Sequence, residues 1–429
     1  MVISYHLENR KKQKNLLNTF FSKTAYYCFR YQEYRLFWIA ALFSNIGMWS
    51  LVYGRLWLMR TLTDSEIMLG LVITANLAPI LLFSLFGGII SDKHNRLQIV
   101  RSTRLLFALV TLITGILIQQ NLIEPWHVIA LSIFTGTFLA IDIPARSAMI
   151  AKLIPKKDLP GGIVLYSIIF GGSAVLGPLI FAPIVSIMGL EYLFYMIAIS
   201  YIFTVITLYK MDTSLHVNTQ IKDISYMQSL YEGFRYLGSN KNILFIIILG
   251  IVVGLFSSSF EILLPVFTDE IFYGDSSTYS RLLLFLGLGG LFGTFALSLS
   301  GAYFNKLIFL IFSTILFGFL IIIFATINDL SFAILIIPFI GMASVWKGTI
   351  NTTMVQTLVE ENFRGRTMSM QQWAWGSAAL GGIFTGFFAQ NYGAPKTLIL
   401  SGILIILSLI HISEPTRRTP ISYAVFCLK

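Results

Sequence analysis

The chain has 429 residues, of which 56% are hydrophobic, 14% aromatic and 12% charged, with a mean hydropathy of +0.78. A soluble domain carries about 25% charged residues, and no water-facing surface accommodates this much apolar side chain, so a soluble fold is excluded. The net charge of +10 does not mark a nucleic-acid binder, because the cations lie in short stretches between apolar runs.

A basic segment opens the chain, with Arg10, Lys11, Lys12, Lys14, Lys23 and Arg30 and no apolar run leading to a small-residue cleavage site. Residues 1–33 are expected to form a cytoplasmic tail. Cys28 falls in this tail and Cys427 at the far end, so no structural disulfide is expected. Apolar runs then recur at 36–59, 67–90, 103–120, 126–147, 161–187, 190–209, 243–267, 280–300, 306–326, 331–355, 368–390 and from 396 onward. Strand-like alternation is absent, and a backbone in lipid must satisfy its polar groups internally. The expected fold is an all-α membrane protein of about twelve transmembrane helices.

The connections alternate in charge. Lys93, Arg96 and Arg101 follow span two, Lys152, Lys156 and Lys157 span four, Lys210 and Lys222 span six, and Arg364 and Arg366 span ten. The other connections hold Asp64, Glu66, Glu124, Glu191, Asp269, Glu270, Asp275 and Asp329, with Arg60, Arg281 and Lys396 as their cations. Cationic loops stay on the cytoplasmic side, so the N-terminus is expected inside.

Residues 210–242 are the one long polar stretch, where Tyr226, Leu230, Phe234 and Leu237 recur at helical spacing, as in an amphipathic helix on a membrane surface. The stretch divides the chain into bundles of six helices at 34–209 and 243–406. An internal repeat supports the division: the hexapeptide at Met149 to Ile154 resembles that at Met354 to Val359, 205 residues on, and the same offset sets Gly88 beside Gly293. Two parallel halves with a central site are the pattern of a rocking transporter. From Leu407 to Arg417, and again from Ile421 to Lys429, the sequence resembles a translated sequencing adapter, so residues 407–429 are expected to be a non-native tail that truncates the last helix.

Gly87-Gly88-Ile89-Ile90-Ser91-Asp92-Lys93-His94-Asn95-Arg96, between spans two and three, resembles the loop signature of the major facilitator superfamily, with Asn95 and Arg96 where a second glycine and arginine are usual. Asp142-Ile143-Pro144-Ala145-Arg146 with Leu153-Ile154-Pro155, Asn45-Ile46-Gly47 with Trp49, and Arg364-Gly365-Arg366 resemble the bacterial exporter branch that includes enterobactin-type efflux proteins. The resemblance implies proton-coupled export of small molecules such as siderophores or drugs. It also implies an inner gate at Gly88, Asp92, Arg96 and Arg146, with Arg146 as the partner of Asp92. Gly177-Pro178 resembles the antiporter motif, but Ser173, Phe181 and Ala182 stand where glycines are usual.

Ionisable groups within spans are costly and are functional candidates. Arg55 in span one and Glu261 in span seven are near symmetry mates, expected to pair as an outer gate or to hold substrate. Asp142 and Lys347 are 205 residues apart with opposite charges, candidates for a proton or a substrate charge. Each of these four also suits a purely structural ion pair. Asn45, Asn76, Gln371, Gln372, Trp373 and Trp375 either line a cavity or pack helices. The run Gly287-Leu288-Gly289-Gly290-Leu291-Phe292-Gly293 imitates a dinucleotide-binding turn but lies inside span eight. There is no GxxxxGK[ST] loop and no metal-ligand spacing, so no cofactor and no enzyme chemistry are expected.

The sequence reads as a monomeric secondary transporter of the bacterial inner membrane, using a small-molecule substrate and protons and binding no nucleic acid. A nutrient importer of the same fold, and a membrane scaffold or enzyme, are the alternatives.

Overall fold

The computed structural model of the chain describes residues 27–155, 158–212, 235–300, 305–359, 373 and 376–409. The described residues contain no strand. After a short 3-10 turn at Cys28–Arg30 they form α1 (Gln32–Leu62), α2 (Glu66–Lys93), α3 (Arg96–Gln119), α4 (Pro125–Leu153), α5 (Leu159–Ile187) and α6 (Leu190–Tyr209). Then follow α7 (Lys241–Val266), α8 (Ser276–Ser300), α9 (Lys306–Ala325), α10 (Leu330–Leu358), α11 (Ala378–Tyr392) and α12 (Ala394–Leu407). Among the described residues ten helices are long and apolar enough to cross a membrane, and α12 is a shorter apolar one. The chain is an all-α, multi-pass membrane protein.

Local chemistry sets the helix ends. Asn95 starts α3 by accepting from the amides of Leu97 at 3.0 Å and Gln98 at 3.3 Å, and Asn305 starts α9 in the same way on Leu307 and Ile308. This cap draws α3 about two turns ahead of its apolar run, so Arg101 and Arg104 lie inside the helix. Asp329 caps α10 through Ser331 and Phe332. Gly189, at φ +114°, and Gly393, at φ +88°, supply the left-handed step between α5 and α6 and between α11 and α12. The repeat is visible in the element bounds: α4 and α10 each have 29 residues and begin at 125 and 330, separated by the same 205 positions.

The structure divides into two compact units, residues 1–54, 82–123 and 134–221 in one, and residues 55–81, 124–133 and 222–429 in the other. In the first, α3 packs along α6, and the core gathers Tyr34, Phe37 and Ala41 of α1 with Val100, Ala145, Met149 and Leu208. Gly87 lets α2 reach α4, since a Cβ there would strike the Ala140 carbonyl oxygen. In the second unit α8 packs on α10, α9 on α10 and α12, and α7 on α11 and α12. Gly289 of α8 meets the Pro338 carbonyl of α10 as closely. Leu105, Leu109 and Leu112 on α3, and Ile308, Phe312, Ile315 and Phe319 on α9, form exposed helical stripes that suit lipid contact.

Of the expected amphipathic helix, residues 213–234 lie outside the described residues, while 235–239 are helical with Leu237 buried. The first part of expected span eleven and nearly all of the proposed non-native tail also lie outside them.

Candidate transport site

Three clusters of charge occupy the apolar helices. The first, in unit one, centres on Asp142 of α4, which is wholly enclosed at 0% exposure. Its Oδ2 meets Arg104 Nη2 of α3 at 2.6 Å and Arg146 Nε, one turn on along α4, at 3.3 Å, while Thr103 Oγ1 donates to Oδ1 at 3.0 Å. Arg104 is 2% exposed and lies near the faces of Phe107 and Tyr201, two rings stacked 5.3 Å apart. Arg146 keeps 11% of its side chain accessible and lies 5.9 Å from the ring centre of half-buried Tyr166. A carboxylate removed from water demands such donors, because an unpaired charge in low dielectric costs several kcal/mol.

The second cluster is in unit two. Glu261 of α7 and Lys347 of α10 are half-buried and within electrostatic reach of each other. Lys347 Nζ sits 4.3 Å over the Phe317 ring, and Tyr279 of α8 also senses Glu261. Tyr279 stacks on Trp57 of α1 at 5.1 Å and 20°.

The third cluster, also in unit two, joins the Leu62 end of α1 to the chain just beyond α7. Residues Phe267–Ile271 form a π-helical turn, closed by Phe272 N donating to the Phe267 carbonyl at 2.9 Å. This wider turn carries Asp269 and Glu270 to Arg60, whose guanidinium reaches Asp269 Oδ2 at 2.9 Å and Glu270 Oε1 at 2.6 Å. The arginine is 5% exposed, while the two carboxylates are about half exposed. Close by, Gly70 of α2 packs on Gly382 of α11, and Ser65 Oγ donates to Gln390 Oε1 at 2.8 Å.

The family model of transmembrane secretion effectors matches residues 23–419. The chain belongs to this family of major facilitator transporters. The chain is similar to the staphyloferrin A transporter of Staphylococcus aureus, 26% identical over 375 residues that cover 87% of this chain and 93% of that protein. It is also similar to macrolide efflux protein A of Streptococcus pyogenes, 22% identical over 339 residues, 77% of this chain and 84% of that protein. Its fold is that of a POT family transporter solved with 5-aminolevulinic acid (TM-score 0.71, 14% identity, 90% of this chain and 96% of that one). It is equally that of a bacterial homolog of the lysosomal transporter Spinster in an inward-facing form (TM-score 0.69, 13% identity, 92% and 98%).

The structure brings some of the expected residues together. Asp142 and Arg146 meet directly, and Arg104, which the sequence reading passed over, is their third member. Arg104 was detectable as a charge inside an apolar run, at positions 103–120. Glu261 and Lys347 lie within electrostatic reach of each other, and Arg55 donates to the Leu131 carbonyl of α4 at 3.4 Å. Arg60, Asp269 and Glu270 read as ordinary loop charges in the sequence; the π-helical turn that gathers them leaves no periodic signal. Asn45 is fully buried and donates to the Ala41 carbonyl at 2.7 Å, with its Oδ1 accepting nothing from the described residues. Gly88, Arg96 and Asn76 are half-buried. The side chain of Asp92 and all of Gln371, Gln372 and Trp375 lie outside the described residues.

Proposed function

We propose that this protein exports a small organic molecule across the bacterial cytoplasmic membrane in exchange for protons, working by alternating access with its N-terminus inside the cell. The observation that carries the reading is a pair of opposite charges on neighbouring spans, half-buried Glu261 of α7 and half-buried Lys347 of α10, each within the other's electrostatic reach, so that the cation competes with a proton for the carboxylate. Protonating Glu261 releases Lys347, and this changes the balance between two conformations of the helices. The names of the relatives support the reading: staphyloferrin A transport and macrolide efflux both concern small organic molecules, and efflux is outward.

The Arg60 clamp with Asp269 and Glu270 is the outer closing contact in this reading, with Arg55 and Trp57 on the same helix below it. Gly88, Asp92 and Arg96 form the inner one, while Arg146, expected beside Asp92, is held by Asp142 instead. The protein acts as a monomer and needs no cofactor.

The test uses inside-out vesicles with staphyloferrin A and a macrolide as probes. An imposed proton gradient should drive uptake of at least one probe, and Glu261→Gln should abolish the gradient-driven component while leaving counterflow. Gradient-driven uptake by Glu261→Gln at the wild-type rate overturns the coupling role, and uptake only into right-side-out vesicles identifies an importer.

A further inference from the structure

We infer that the Asp142 cluster is an anion-recognition site, and that the cargo presents a carboxylate or similar organic anion to Arg146 beside an aromatic ring. The inference deepens the transport reading and rests on it.

The charges do not balance. Among the described residues two guanidiniums, Arg104 and Arg146, share the single carboxylate of Asp142. Arg104 is sealed in and bonded to Asp142 at 2.6 Å, so the surplus positive charge belongs to Arg146. Arg146 uses Nε on Asp142, and its side chain is the accessible one of the three. A guanidinium held in low dielectric with half a carboxylate to itself favours a further anion, because Coulomb attraction there is several times stronger than in water. Its planar fork suits the two oxygens of a carboxylate.

The surroundings add shape. Tyr166 of α5, half-buried, stands 5.9 Å from the Arg146 guanidinium carbon and stacks on buried Phe37 of α1 at 5.9 Å and 29°. An aromatic or other planar group attached to the anion finds this wall next to the charge. Arg104 and Thr103 hold Asp142, and Asp142 in turn orients Arg146, so the recognising group is preorganised. The charge sign makes the prediction specific. A cation-binding or proton-carrying Asp142 would lose its ligand when neutralised, whereas an anion site gains when its internal carboxylate is removed.

The full-length protein, purified in detergent without any gradient, is titrated with benzoate, benzamide and benzylammonium, which share one ring and carry charges of −1, 0 and +1. Binding is read by saturation-transfer NMR and by ligand-dependent thermal stabilisation. Wild type should bind benzoate about tenfold or more tighter than benzamide, the scale of one charge-assisted hydrogen bond. Arg146→Gln should bring benzoate down to the level of benzamide, Arg146→Lys should keep part of the preference, and Asp142→Asn should increase it. Should Asp142→Asn fail to fold, the two Arg146 variants decide. Equal binding of all three probes, a preference for benzylammonium, or unchanged benzoate affinity in Arg146→Gln overturns the inference. Because no gradient is involved, such a failure leaves proton-driven transport standing, and lost transport with intact benzoate binding faults only the coupling.

Discussion

At the scale of single residues, the informative side chains are those whose charge is fixed from two directions. Arg60 is nearly enclosed and binds Asp269 and Glu270, each about half exposed, with the almost fully exposed Asp64 carboxylate further off at 3.7 Å. Solvent screens that exposed side, so each pair contributes about 1 kcal/mol rather than the several expected of a buried one. In the transport reading, Arg60→Gln should therefore raise labelling of a cysteine placed at Trp57 from the outer side, and Asp269→Asn with Glu270→Gln should do the same. If Arg60→Gln leaves labelling at the wild-type level, the clamp does not close that side. Asp275 tests a different interaction. Its Oδ1 accepts from the Thr278 amide at 2.9 Å and the Thr278 hydroxyl at 3.1 Å, which holds the carboxyl below its usual range and caps α8. Because the folded value is depressed, this stabilisation is complete above the unfolded value of about 3.9 and is lost as pH falls through the lower folded one. Asp275→Ala should cost about 1 kcal/mol at neutral pH, and Asp275→Asn should keep the cap without its acid sensitivity. Thermal unfolding of the three forms at neutral and acid pH measures both.

At the scale of elements, close helix approach depends on missing side chains rather than on any apolar stripe. Lipid is as apolar as leucine, so helix association in a bilayer draws on tight contact and on hydrogen bonds between helices. Gly289 on Pro338 shows the first, and the buried hydroxyls of Ser259, Thr385 and Ser401, at 2.6 and 3.0 Å, show the second across α7, α11 and α12. Gly289→Val would force α8 off α10 and should cost about 1–3 kcal/mol or more by overpacking. Ser259→Ala, which removes a shared hydroxyl and little volume, should cost about 0.6 kcal/mol. Detergent unfolding curves that rank the two variants in the opposite order would contradict this division of roles. The π-helical turn after α7 is the element no periodicity foretold: five residues of ordinary composition that bring Asp269 and Glu270 to Arg60 by closing one residue wider than an α-turn.

For the whole molecule, the threading of the chain can be tested directly. Single cysteines at Lys152, after α4, and at Asp329, before α10, should react with a membrane-impermeant maleimide from opposite compartments, Lys152 from inside. Labelling of both from one side would remove the proposed orientation. The existence and order of the helices were legible because each must bury a run of about 20 apolar residues and satisfy its own backbone, and that requirement is local. Their start points were legible only in part: α3 begins at a capping asparagine and not where its hydropathy rises.

The amino-acid sequence by itself determined the class of the protein, the order of its apolar helices, and the presence of charges that need an explanation in lipid. It also held the loop signature and the Asp142–Arg146 segment that carry the resemblance to major facilitator exporters. Only the tertiary structure decided which charges meet. Arg104 with Asp142, and Arg60 with Asp269 and Glu270, each join residues at least 38 positions apart. The physical reason is that hydropathy and helical period are properties of a segment, whereas an ion pair depends on the rotation and depth of two helices, which packing across the whole core sets.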